Sequence, residues 1–329
     1  MTEIPLELLS FLETYSRFFI IGHAEPDGDC IGSQISLARF LSRIGKTVFL
    51  RSPGPFRRPE IMEYEPSFAS RIEPELKTSD SAAIVLDCST IERIGPLAQD
   101  IRGLPAAVID HHSAGSAFGD VRYIDDTAPA VALLVLRLIE RLGYTPEPDE
   151  ARLILFGIAT DTGFFRHLQT GTSEVFKAIA RLVERGTSTR EVYTMIYGNR
   201  TFESRKLLGA LLARSELHFD GKLIFTYETL EETMRYGIEN RDSDTLYQLL
   251  QTVAGCEIVV LLREELPEEG ADGPVCSAGL RSRSDRYDVG TVSRAFGGGG
   301  HRQAAGFTKA LPIETVRSEL LRVFSRMLT

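Results

Sequence analysis

Cysteine is scarce and scattered in this sequence. The four residues, Cys30, Cys88, Cys256 and Cys276, form no CxxC pair. That excludes a clustered thiolate zinc site and predicts reduced, buried thiols. Long apolar runs are also missing: none approaches the ~20 residues that span a bilayer, so no membrane association is expected. Residues 1–13 contain Glu3, Glu7 and Glu13 but no lysine or arginine. A secretory signal begins with positive charge, so a cytoplasmic protein is expected. Positive charge is in deficit overall, with 37 Lys and Arg against 46 Asp and Glu, a net charge of −9. A broad basic surface for long nucleic acid is therefore excluded. Any anionic substrate must be gripped locally, by metal ions and a few arginines, which favours a small substrate over a long polymer.

The 329 residues suffice for two domains. Hydrophobic residues at 43% and charged residues at 25% suit an ordinary globular protein. Residues 17–22 (RFFIIG) read as a buried strand running into a polar turn over 23–29. A helix follows over 31–44, closed by Gly45. Further strands are expected at 47–50, 82–86 and 106–109. Further helices are expected from Thr127 to about Leu142, closed by Gly143, and over 149–160. This alternation predicts an α/β fold with a mostly parallel sheet flanked by helices. After Gly186 the pattern changes. Residues 187–214 read as a helical linker, and 215–329 as a smaller α+β domain. Its strands are expected at 222–227, 257–263 and 275–280, the last two joined as a long hairpin through residues 264–274.

Ligands of open parallel sheets bind outside the carboxyl ends of the strands. Three of the expected strands end in acids or histidines: His23-Ala-Glu-Pro-Asp27-Gly-Asp29, Asp87, and Asp110-His111-His112. Carboxylates crowded in this way repel and raise one another's pKa, and one or two divalent cations relieve that conflict. Mixed oxygen and imidazole donors suit Mn²⁺ or a similar ion. Of only six histidines, three stand at these strand ends and His301 follows the run Gly297–Gly300. Each motif also has a plain reading. Asp27-Gly-Asp29 reads as a turn, Asp87 as a helix cap, Asp-His-His as a solvated loop, and Asp161-Thr-Gly as the turn ending a helix. The glycine run reads as a flexible loop, and Arg281 and Arg283 as a solvated strand face. His167 and His218 read as structural or surface residues. Joint occurrence of the acidic motifs after consecutive strands argues for one site.

These motifs, in this order, resemble the DHH phosphoesterase superfamily. They are His23-Ala-Glu-Pro-Asp27-Gly-Asp29-Cys-Ile-Gly-Ser33, Val85-Leu86-Asp87, Asp110-His111-His112 and Asp161-Thr-Gly-Phe-Phe165. Residues Arg281-Ser282-Arg283 and Gly298-Gly299-Gly300-His301 resemble the DHHA1 domain, so the likeness spans nearly the whole chain. Its compact form looks like the nanoRNase and pAp phosphatase (NrnA-type) branch, since RecJ exonucleases usually carry a further OB-type domain and family II pyrophosphatases lack the Gly-Gly-Gly-His loop. The resemblance implies a DHH catalytic domain over 1–186 and a DHHA1 substrate-binding domain over 215–329, facing each other across a cleft. It implies one metal ion on His23, Asp27 and Asp87 and a second on Asp29, Asp87, His111 and Asp161. Asp87 would bridge the two. Mn²⁺ is expected, with Mg²⁺ or Co²⁺ as alternatives. Asp110 is expected behind a histidine and His112 at the scissile phosphate or the leaving oxygen, while Arg281, Ser282, Arg283, Gly298, Gly299, Gly300 and His301 are expected on the substrate. The implied activity is hydrolysis of short oligoribonucleotides and of 3′-phosphoadenosine 5′-phosphate. Cyclic dinucleotides or linear pApA, or nucleotide sensing without turnover, are the alternatives. A homodimer is compatible with the resemblance.

Overall fold

The computed structural model describes residues 2–112, 115–168, 171–198, 200–267 and 273–328. Two compact units divide the chain, Met1–Asn199 and Arg200–Thr329. No helix among the described residues is long and apolar enough to cross a membrane.

The first unit holds strands β1 (Arg17–Ile21), β2 (Thr47–Arg51), β3 (Ser81–Leu86), β4 (Ala106–Asp110) and β5 (Val121–Ile124). Its helices are α1 (Leu6–Thr14), α2 (Gly28–Arg43), α3 (Leu97–Asp100), α4 (Val131–Arg141), α5 (Pro148–Asp161), α6 (Ser173–Glu184) and α7 (Thr189–Tyr197). The sheet order is β2-β1-β3-β4-β5, all pairs parallel. Alternate residues serve opposite faces, as the two-residue strand period demands. Phe18, Ile20, Ile84 and Ile109 pack with α2, α4 and α5, while Phe19, Ile21, Val85 and Val108 pack with Ile94, Leu97 and Ile101. Both faces are covered, so the central strands are continuous apolar runs. Strand order reverses between β1 and β3, and in such sheets the crevice at that switch is where ligands bind.

Helices α2 and α5 cross with almost nothing between them. A Cβ on Gly32 would lie 2.6 Å from the Leu153 carbonyl oxygen, and one on Gly157 would lie 2.9 Å from Asp29 Oδ1. A Cβ on Gly28 would meet Thr160 at 2.4 Å. Side-chain-free contact therefore sets this pair and brings the start of α2 beside the end of α5.

The second unit holds β6 (Glu216–His218), β7 (Leu223–Glu228), β8 (Ile258–Glu265), β9 (Val275–Ser282), β10 (Gly299–Gly300) and β11 (Ala304–Lys309). Its helices are α8 (Phe202–Ala213), α9 (Leu230–Tyr236), α10 (Ser243–Gln251), α11 (Val289–Ala295) and α12 (Ile313–Leu328). The sheet order is β10-β11-β9-β8-β7-β6, with β7 and β8 parallel and the other pairs antiparallel. Residues of α11 and α12 cover one face and residues of α8 and α10 the other.

The expected α/β unit followed by an α+β unit is observed, as is the β8–β9 hairpin, of whose connection residues 268–272 lie outside the described residues. Several local readings need correction. Helix α2 starts at Gly28 and not at Ile31, because Asp27 caps it, so Asp29 lies in its first turn. Strand β5, the short edge of the sheet, was not expected. The run Gly297–Gly300 is not a flexible loop: Gly299 and Gly300 pair with Gly306 and Ala305 of β11. A Cβ on Gly298 would lie 2.3 Å from the Gly306 carbonyl oxygen, and Gly300 has φ +126°. The region expected as a linker contains α7 of the first unit and α8 of the second, with Asn199 outside the described residues.

Candidate metal centre

Strand β1 delivers His23, which is 4% exposed. Its Nδ1 lies 2.8 Å from the Ala24 carbonyl oxygen. A carbonyl only accepts, so Nδ1 carries the proton and the Nε2 lone pair is turned toward carboxylates. That nitrogen is 3.4 Å from Asp87 Oδ2 and 3.9 Å from Asp27 Oδ1. Burial opposes a charge on His23, but the hydrogen bond and charge of Asp87, with Asp27 and Ala24, raise its pKa above the ordinary value.

Asp27 starts α2. Its Oδ1 accepts the backbone N–H groups of Asp29 and Cys30, each at 3.1 Å. The plain turn reading of Asp27-Gly-Asp29 is thus replaced by a helix cap. Asp29 is fully buried. Its Oδ2 accepts from Val131 N–H at 2.6 Å and its Oδ1 from Ala132 N–H at 2.9 Å, both in the first turn of α4. Burial, then repulsion from Asp87 and Asp27, drives this carboxyl well above the usual range, although the two N–H bonds pull it down.

Asp87 follows β3 with φ +58°, a conformation few non-glycine residues adopt. Such strain collects at functional sites. Its Oδ1 is buried without a hydrogen-bond partner among the described residues, with His111 Nε2 and His112 Nδ1 each 3.6 Å away. Burial pushes this carboxyl up, but the hydrogen bond and charge of His23, with His111 and His112, outweigh that and hold it below its ordinary value.

Strand β4 delivers the Asp-His-His sequence. Asp110 is 1% exposed, and its Oδ1 accepts from His111 N–H at 2.8 Å and His112 N–H at 3.3 Å. The same oxygen lies 2.8 Å from His112 Nδ1. Asp110 therefore stands behind His112, fixing its tautomer and leaving Nε2 free to face outward. Its hydrogen bond raises the His112 pKa, against opposition from burial. His111 is oriented differently, with Nδ1 3.1 Å from the Ala128 carbonyl oxygen and Nε2 3.3 Å from Asp161 Oδ2.

Asp161 is the last residue of α5, where the partial negative helix end also disfavours a second negative charge. Burial, then the charges of Asp29, Asp27 and Asp87, raises its pKa to about 8. The structure thus gathers His23, Asp27, Asp29, Asp87, His111, His112 and Asp161 at the switch point. Ligand atoms of Asp29, His111 and Asp161 lie within 4.8 Å of one another, as do those of Asp87, Asp110, His111 and His112. A divalent cation fits this set, because the orphaned Asp87 oxygen and the crowded carboxylates call for positive charge. Cys30 and Cys88 lie close by, but burial first, and then the charge of Asp87, push both thiols well above their usual range. Cys30 Sγ lies with ligand atoms of His23 and Asp87, all within 4.8 Å of one another.

Sequence reasoning missed Asp125, which follows the unexpected β5. Its carboxylate is fully buried, and its Oδ1 accepts the Thr127 N–H at 3.1 Å, fixing the turn whose Ala128 carbonyl orients His111.

In the second unit, a pocket of about 430 Å³ is lined by Ser243, Tyr247, Arg263, Arg281 and the backbones of Gly279, Gly299, Gly300 and Gly306. Of the expected substrate residues, Arg281, Gly299 and Gly300 line it. Ser282 does not: it is 3% exposed, and its hydroxyl donates to the Ser284 carbonyl oxygen at 2.8 Å. Arg283 lies beyond β9. Gly298 is held against β11, and His301 is exposed in the turn between β10 and β11, where its N–H donates to the Ala304 carbonyl oxygen at 2.8 Å. Arg263, Tyr247 and Ser243 were not foreseen. Arg263 stands near the end of a strand that was expected, but a strand-end arginine reads as solvated unless its partners are known.

Residues 17–158 match the DHH family, N-terminal domain, and residues 221–328 match the DHHA1 domain. A bifunctional oligoribonuclease and PAP phosphatase NrnA from Thermus thermophilus is 31% identical, over 94% of this chain and 90% of its own length. The cyclic-di-AMP phosphodiesterase PdeA of Listeria monocytogenes is 27% identical over 97% of this chain, which spans 49% of that relative. The crystal structure of an exopolyphosphatase-related protein from Bacteroides fragilis shares the fold, with a TM-score of 0.79 and 23% identity, over 98% of this chain and 94% of that one. With the histidines and carboxylates of its motifs gathered at one sheet switch point, the chain belongs to the DHH/DHHA1 family of phosphoesterases.

Proposed function

We propose that this protein hydrolyses short oligoribonucleotides and 3′-phosphoadenosine 5′-phosphate with two divalent metal ions, Mn²⁺ foremost. The observation that carries the metal requirement is the buried Oδ1 of Asp87, without a hydrogen-bond partner among the described residues, amid three further carboxylates, Asp27, Asp29 and Asp161. His23, Asp27 and Asp87 would hold one ion, and Asp29, Asp87, His111 and Asp161 the other. When bound, such a pair supplies charge stabilisation at phosphorus and a water of lowered pKa. The similarity to the NrnA oligoribonuclease and PAP phosphatase over nearly the whole chain supports this substrate class.

The protein's own residues divide the remaining work. Asp110 holds His112 by Nδ1 and favours its protonated form, and the imidazolium Nε2–H can donate to the scissile phosphate or to the departing oxygen. The Ala24 and Ala128 carbonyls fix the imidazoles of His23 and His111 so that each turns its lone pair to the carboxylates. The pocket of the second unit would take the rest of the substrate. The chain's negative charge favours short, locally held anions.

The similarity to PdeA favours a second reading, cleavage of cyclic dinucleotides or of linear pApA. Product analysis on di- to pentanucleotides, 3′-phosphoadenosine 5′-phosphate, pApA and cyclic di-AMP with Mn²⁺ separates the readings. Turnover of the short oligonucleotides and the bisphosphate is expected. Cleavage confined to the cyclic compound and pApA would reverse the order, and no cleavage of any short oligonucleotide would overturn the main reading.

A further inference from the structure

Behind the pocket of the second unit lies an ion network that phosphoester chemistry at the first unit does not use. Glu228 ends β7 with its carboxylate fully buried. Its Oε2 accepts from Arg263 Nε at 2.8 Å. Its Oε1 accepts from Arg241 Nε and from the Thr233 hydroxyl, each at 2.7 Å. Burial works against the charge of Glu228, but Thr233 and the two arginines hold the carboxyl below its usual range, so it is ionised.

Arg263 is fixed at two points. Nε is on Glu228, and Nη2 donates to the Ser243 hydroxyl at 2.6 Å. Its Nη1 has no hydrogen-bond partner among the described residues, and the side chain lines the pocket. Arg281 lines the same pocket, its guanidinium 4.6 Å from the centre of the Tyr247 ring. It forms no ion pair with a carboxylate among the described residues. Across the β8–β9 ladder, Arg263 faces Ser277 and Arg281 faces Val259, with Gly279 midway between them. A side chain at 279 would strike the Tyr247 hydroxyl, where a Cβ would lie 2.2 Å away. Two guanidiniums thus share a floor of bare glycine backbone. Their geometry suits bidentate contact with a phosphate.

Glu228 is what orients this arrangement. Without it, Arg263 would lose the bond that aims it, and Arg241 would keep, among the described residues, only the Thr233 hydroxyl at 3.1 Å and Glu265 at 3.4 Å. A fully buried carboxylate costs desolvation and adds little net stability as a rule; here its geometric effect is to orient one arginine. We propose that Glu228 is a positioning residue for substrate binding, fixing Arg263 so that its Nη1 edge and Arg281 together receive a non-scissile phosphate of the substrate. This rests on the nucleotide-hydrolase reading given above.

The test compares pApA, which carries a non-scissile 5′-phosphate, with ApA, which does not, at saturating Mn²⁺. The proteins are the full-length wild type, Glu228→Gln and Arg263→Lys. The wild type is expected to prefer pApA. In both variants the preference for pApA over ApA in kcat/KM should fall about tenfold, the size of one lost charge-assisted bond, through a higher KM for pApA. A purely structural role would move both substrates alike. An unchanged preference for pApA in a folded Glu228→Gln overturns the proposal. If Glu228→Gln does not fold, Arg263→Lys decides by the same criterion. If the wild type cleaves neither dinucleotide, the hydrolase reading fails by itself. Calorimetric binding of AMP then decides: about tenfold weaker binding by the variants supports the proposal, and equal binding overturns it.

Discussion

Asp29 in the first turn of α2 accepts the backbone N–H groups of Val131 and Ala132, more than a hundred residues away in the first turn of α4. One carboxylate thereby caps a helix and faces His111 and Asp161. Asp29→Ala should destabilise the protein even without metal, since two buried N–H groups lose their acceptor at ~1–3 kcal/mol each. Urea denaturation in EDTA checks this. Stability equal to wild type would show that the cap is not used.

Asp161 has no such second duty, and its replacement should act in the opposite direction. Asp161→Asn removes a carboxylate that its surroundings keep from ionising until about pH 8. At pH 9 in EDTA the variant should be more stable than wild type, by on the order of 1–2 kcal/mol, while losing the stabilisation that Mn²⁺ gives the wild type. Paired thermal melts with and without Mn²⁺ measure both effects.

Stability of the metal-free protein should fall as pH rises from 5 to 9. Asp161 and Asp29 have raised pKa values when folded, so over this range the folded state binds more protons than the unfolded chain. His23 and His112 are raised too, and the stability they contribute is present below the ordinary histidine pKa and lost above it. Asp87 is lowered, so its contribution is lost only below the ordinary carboxyl range, outside this window. All four raised groups slope the same way. Saturating Mn²⁺ should flatten or reverse the slope by displacing protons. Calorimetric titration in two buffers of different ionisation enthalpy should register proton release. A metal-free protein that grows more stable toward pH 9 would contradict the electrostatics of the site.

Asp110→Asn should lower kcat more than Mn²⁺ affinity, because it weakens the bond to His112 Nδ1 while the amide oxygen can still accept the His111 N–H. His112→Ala should lower kcat about 10²–10⁴-fold, the usual span for a general acid. The loss should shrink for a p-nitrophenyl phosphoester, whose leaving group needs no proton. An equal loss on both substrates would assign His112 to the phosphate and not to the leaving oxygen.

Gly32→Ala should separate α2 from α5 and weaken metal binding along with stability, overpacking of this kind costing ~1–3 kcal/mol. Gly209 in α8 is the control, since a Cβ there meets nothing within 4 Å. Gly209→Ala should stabilise by roughly 0.5–1 kcal/mol. Melting curves and Mn²⁺ titrations of the two variants make the comparison.

Much of the first unit was legible because its signals are local. Buried strands ending in His23, Asp87 and Asp110 stand out, and Gly45 marks the end of a helix with φ +87°. What escaped depends on distant partners. Pro-Asp-Gly reads as a turn, and only the folded chain shows Asp27 accepting the Asp29 and Cys30 N–H groups as a helix cap. Val121–Ile124 is four residues long and half-exposed, too short to show alternation. The glycines at 298 and 300 are required by the approach of β11, which no local pattern reveals. Arg263 looks like any strand-end cation until Glu228, 35 residues earlier, is seen to hold it.

The sheet of the second unit ends on one side in Gly299–Gly300 and on the other in Glu216–His218. Strands this short leave few unpaired N–H and C=O groups in a row, and those rows are what an extra chain needs to add itself to a sheet. Both margins are therefore poor templates for growth. The open sheet resists edge-to-edge aggregation without closing into a barrel, and the glycines that hug β11 serve that protection as well as the pocket.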